Sequence, residues 1–148
     1  MKSRAEQAVE CFKDGFNCAQ AVFTAFTEES GITRNEALKI SCGFGAGMGR
    51  RQETCGAVSG AILAIGARHG KTDRADDAAT ETTYRLVREA SMQFAARHGT
   101  TQCKGLIGCD LQQEEGRKIF KEKNMKESRC TKYVHDAAEI AEALLAKE

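Results

Sequence analysis

The chain is expected to be all-α, and three features say so. It contains no proline, its glycines stand mostly where helices would stop, and nothing alternates apolar and polar residues long enough to demand a strand. The prediction is a compact bundle of about six to seven helices, with a glycine-rich loop ahead of a central buried helix. One helical domain over residues 1–148 accounts for the length.

The elements follow from their caps. Ser3-x-x-Glu6 is a capping box opening a first helix that ends near Gly15, and Asn17-x-x-Gln20 opens a second that ends near Gly31. Val22, Phe23 and Phe26 are spaced for the buried face of that second helix. Thr33-x-x-Glu36 starts a third, running to about Phe44. After the glycine-dense stretch Gly43–Gly49, CGAVSGAILAIGARHG is apolar nearly all round and reads as the central helix. A long helix from about Asp73 to His98 turns Tyr84, Val87, Ser91 and Phe94 inward. Both of these end in Ala-Arg-His-Gly, a basic last turn followed by a C′ glycine. A short helix around Cys103–Ile107 comes next, and Asp110-x-x-Gln113 introduces another to about Glu122. The last, from about Cys130 to Ala146, carries Val134, Ala138, Ala141 and Leu145 inward.

Composition narrows the function classes. Hydrophobic residues make up 41% and charged residues 29%, and the net charge is +1. Basic residues are spread along the chain, so no nucleic acid is expected as a partner. The longest apolar run, Ala57–Ala67, is well short of the ~20 residues a membrane span needs. No signal-peptide core opens the chain, and a cytoplasmic setting that keeps thiols reduced is expected. Seven cysteines, an odd number, argue against a purely structural disulfide framework.

The cysteines carry the chemistry. Cys18, Cys55, Cys103 and Cys130 follow the cap-type residues Asn17, Thr54, Thr101 and Ser128, which places them in first helical turns. There the helix dipole and free amides favour a thiolate. Cys55 is the sharpest case, because Arg50 and Arg51 stand just upstream and would lower its pKa further. Gly56, Gly60 and Ala64 leave one face of the central helix without bulk, where a helix or a cofactor could approach the backbone. Cys11 and Cys42 read as core thiols. His69 and His98 read as helix C-terminal cations, and His135 as a weak ligand candidate.

Several motifs are absent. Gly43, Gly45, Gly47 and Gly49 form G-x-G-x-G-x-G, which is neither the dinucleotide fingerprint nor a P-loop. No C-x-x-C occurs, so thioredoxin-like and zinc-ribbon readings fail, and no C-x-x-C-H occurs for covalent haem. Any sulfur site must be assembled from distant segments.

With GFNCAQAV before it and CKGLIGCDL and Cys130 after it, the run CGFGAGMGRRQETCGAVSGAILAIG resembles the C_GCAxxG_C_C family of redox-active proteins. CGAVSG at Cys55–Gly60 is the most diagnostic piece. The resemblance implies a small helical protein linked to redox chemistry. Its cysteines correspond to Cys18, Cys55, Cys103 or Cys109, and Cys130.

Three functional readings result. In the first, soft thiolates from Cys55, Cys103, Cys109 and Cys130, with Cys18 in reserve, ligate an iron–sulfur cluster or another soft metal for electron transfer. Gly56, Arg50 and Arg51 then border the cofactor. In the second, no cofactor is needed: Cys55 is a low-pKa nucleophile, and Cys18, Cys109 or Cys130 resolves the disulfide. Either reading implies a redox partner protein and leaves a homodimer open. The third is a helical interaction module whose cysteines only pack.

Overall fold

Three capping boxes set the first half of the fold. In the computed structural model, which describes residues 1–28 and 30–147, Ser3, Asn17 and Thr33 each accept from an N3 amide while Glu6, Gln20 and Glu36 reach back. They open α1 (Arg4–Lys13), α2 (Cys18–Thr24) and α3 (Arg34–Ser41). Then come α4 (Gly56–His69), α5 (Asp77–His98), α6 (Cys103–Ile107), α7 (Glu114–Glu122) and α8 (Thr131–Ala146). Eight helices stand among the described residues, slightly more than the sequence led us to expect. The architecture is all-α, and the sole extended feature among those residues is one antiparallel bridge between Thr54 and Gln102. No described helix is long and apolar enough to cross a membrane.

Helix α4 is the central element, packed by α2, α5 and α8. Its contact with α2 is possible because α4 lacks bulk on that face. A Cβ on Gly60 would stand 2.8 Å from the Ala19 carbonyl, and one on Gly56 would overlap the Cys18 sulfur. The gap anticipated there is filled by a helix backbone. Val22, Ile65, Leu86, Phe94, Val134 and Ile140 are fully buried around this axis. On α8 the four predicted residues are buried, together with Asp136, Ala137, Ile140 and Leu144.

Three local expectations are overturned. Tyr84 is exposed, and the inner stripe of α5 is Leu86, Ala90 and Phe94. The predicted stripe drifts around the helix: at about 100° per residue, the ten residues from Tyr84 to Phe94 fall about 80° short of three full turns. Cys42 is exposed rather than a core thiol, because α3 ends at Ser41 and a short 3₁₀ turn carries Cys42 outward. Asp110 does not cap α7; it forms a turn with Gln112 and Gln113, and Gln113 is the N-cap.

The glycine-rich stretch is not a simple flexible loop. Residues 46–50 all have positive φ, between 54° and 71°, and Gln52 follows at 57°. Ala46 and Gly47 have the full left-handed helical geometry. Four of these are not glycine, and each costs about 1–2 kcal/mol in that region. The turn is held by Gln52 and Glu53 amides donating to the Ala46 and Gly47 carbonyls at 3.3 and 3.0 Å.

Candidate functional site

Two backbone segments are clipped together first. The Cys55 amide donates to the Thr101 carbonyl and the Cys103 amide to the Glu53 carbonyl, both at 2.7 Å. This pairing places Cys55, the N-cap of α4, beside Cys103, the first residue of α6. Cys18, first in α2, arrives across the glycine face, with its sulfur over Gly56.

Cys130 arrives differently. It was expected in a first turn capped by Ser128, but Ser128 caps nothing. Residues Lys126–Cys130 form a π-turn running directly into α8, an irregularity often found at functional sites. Arg129 donates to the carbonyls of Leu106 and Ile107, and the Tyr133 hydroxyl donates to Leu106 at 3.1 Å. These bonds satisfy carbonyls at the end of α6 and lock the π-turn against it.

Cys18, Cys55, Cys103 and Cys130 therefore line one cavity of about 350 Å³. Phe12, Phe16, Phe120, Tyr133 and Leu111 contribute apolar wall, and Arg50, Arg117 and Lys126 add positive charge. Gly56 lines the cavity as well, whereas Arg51 points away and pairs with Glu53 at 3.5 Å. Cys109 lies outside the cavity wall, in the small cluster behind Cys103, with its sulfur 3.9 Å from the Met125 sulfur. Cys11 is buried in the main core and accepts from Thr24. All seven cysteines are free thiols.

The cavity holds its sulfurs protonated. Burial pushes the Cys55 thiol well up, and the neighbouring Cys18 and Cys103 add to it, against the Ala57 and Val58 amides. This reverses the expected low pKa: Cys55 makes no capping hydrogen bond, and lost hydration outweighs the helix dipole. Burial likewise raises Cys18, although the amides of Ala46, Ala19, Cys18 and Gly56 all oppose it. Those four amides favour the thiolate without overcoming burial, and the left-handed turn supplies one of them. Desolvation and the Cys18 charge raise Cys103 to about 12, and the same causes, with Cys103 in addition, raise Cys130 to about 12.

Sequence reasoning missed Gln52, whose side chain bonds the Cys103 thiol. It also bridges the Cys109 carbonyl and the Leu111 amide, both at 2.7 Å. A buried glutamine beside a glycine loop gives no sequence signal of its own. Arg117, Lys126 and Tyr133 were missed because their helices reach the cavity only through tertiary packing.

The donor set indicates what the cavity could hold. Among the described residues no three thiols lie within 4.8 Å of one another. A single tetrahedral zinc needs sulfurs about 3.8 Å apart, given Zn–S bonds of about 2.3 Å. A second group, His135, Asp136 and Glu139, is compact enough for a metal. However, Arg97 already stands 2.7 Å from Glu139 and 3.6 Å from Asp136. His98, expected as a C-terminal cation, bonds Asp136 at 2.8 Å, so this group is an ion-pair knot.

The family model described as "Putative redox-active protein (C_GCAxxG_C_C)" matches residues 16–144, and the chain belongs to that family. No curated protein and no solved structure matches it.

Proposed function

We propose, with membership of this redox-active family as the premise, that the protein is an electron carrier holding an iron–sulfur cluster. Cys18, Cys55, Cys103 and Cys130 are its ligands. The observation that carries this reading is the convergence of four thiols, from four separate segments, on one cavity. Four soft thiolates converging on one cavity, with amides near the sulfur of Cys18, are the donor chemistry a cluster takes.

When bound, such a cluster supplies reversible one-electron exchange at iron. The chain's own residues do the rest. Gly56 leaves the space that lets the Cys18 sulfur meet the α4 terminus. Gln52 bonds Cys103 and ties it to the Cys109 carbonyl and the Leu111 amide. The amides around Cys18 and the charge of Arg50 offset negative charge on the thiolates. Phe12, Leu106 and Leu111 keep water from the inner end. A second protein is the proposed electron donor or acceptor.

Anaerobically purified protein is expected to absorb in the visible, bleach on reduction, and contain iron with acid-labile sulfide. Cys→Ser changes at 18, 55, 103 and 130 should each lower iron content and change the spectrum, whereas Cys11→Ser and Cys109→Ser should retain both. A folded, colourless sample without metal overturns the proposal.

A further inference from the structure

The same cavity carries more than its sulfurs require. Its inner end is lined by buried Cys55, Cys103, Leu106 and Leu111, while Arg50, Arg117 and Lys126 are exposed at the rim. The wall contains three cationic side chains and no acidic one, in a chain whose net charge is only +1. None of the three is ion-paired among the described residues. Two of them are also held by side-chain contacts. Lys126 stands 4.9 Å over the Phe12 ring, the Arg117 Nη1 donates to the Leu111 carbonyl at 2.9 Å, and Arg50 rises from the left-handed turn at φ 70°.

Unpaired cations around an aromatic-walled opening define a ligand class. At about 350 Å³ the cavity falls within the ~300–1,000 Å³ typical of small-ligand pockets. Guanidinium groups match carboxylates through paired N–H donors, and the ring walls of Phe16, Phe120 and Tyr133 accept an apolar body. The geometry points to a binding pocket for a small organic carboxylate with an aromatic or branched aliphatic body, seated at the outer end of the cavity. Its carboxylate meets Arg117, Lys126 and Arg50, and its body faces the sulfurs. This rests on the reading of the cavity as the reactive centre and assigns that centre a substrate class. A membrane or nucleic acid does not fit a concave opening of this size.

Calorimetric titration of the protein as purified, with benzoate as the anion and benzyl alcohol as its neutral counterpart, tests this. Benzoate is expected to bind at least tenfold more tightly than benzyl alcohol. The R117Q/K126Q double variant should lose at least tenfold in benzoate affinity at unchanged helical content and iron content. Lys126→Arg should keep most of it. Equal binding of benzoate and benzyl alcohol overturns the proposal, as does undiminished benzoate binding by the double variant or no binding by the wild type at millimolar concentration. If the double variant loses iron together with benzoate, the cations serve the metal group alone and the proposal also falls. Iron assayed on the same samples keeps the cluster reading separate: metal-free protein that still binds benzoate with this charge dependence removes the cluster and leaves the pocket.

Discussion

The two ends of α4 illustrate different physics within one helix. Its middle and C-terminal half, around Ala61, Ala64 and Ile65, lies in a regular apolar core with Phe23, Phe94 and Leu144. Its N-terminal end meets a left-handed turn, a π-turn, an isolated bridge and three other thiols. The first region is stabilised by burial and interlocking of side chains in relaxed helices. The second is held by particular hydrogen bonds against backbone strain and the desolvation of sulfur. Stability is concentrated in one half and reactivity in the other, so changes in the two halves should have separable effects.

The largest separation is expected from Phe94→Ala. Phe94 is fully buried and packs against the rings of His98 and Tyr133. Its loss should cost about 3–5 kcal/mol in denaturant unfolding, while alkylation of the cavity thiols in the native state remains slow. Faster alkylation would show that the two regions are not separable.

The thiols should make the metal-free chain sensitive to alkali. Cys103 titrates near 9.0 as an ordinary thiol and at about 12 in the fold. Below 9.0 both states carry the proton and stability is full. Between these values the unfolded chain releases a proton that the folded chain keeps, so stability falls as pH rises. The loss is about 1.4 kcal/mol per pH unit for Cys103 alone, and Cys55 and Cys130 act in the same direction. Urea unfolding at pH 8 and pH 10.5 measures it, and Cys103→Ser should flatten the profile.

A smaller effect should come from Ala46→Gly. With φ 54° and ψ 42°, Ala46 pays a left-handed penalty that glycine avoids, so stability should rise by about 1 kcal/mol. If stability falls instead, the turn is not strained and its contrast with the core disappears. The same variant retains the amide facing Cys18, so iron content should be unchanged.

The sequence by itself determined the all-α class, three capping boxes, the short α6, the apolar α4, the inward face of α8 and the family. Each depends on interactions within a few residues, where spacing and cap chemistry act directly. Only the tertiary structure decided that Cys18, not Cys109, joins Cys55, Cys103 and Cys130 at the cavity. Their approach depends on the Thr54–Gln102 bridge, the glycine face of α4 and the π-turn, which link segments far apart in the chain. It also reversed the sign of the Cys55 shift. A helix terminus is local and can be read from neighbours, whereas desolvation depends on everything packed around the sulfur, and here it outweighs the dipole.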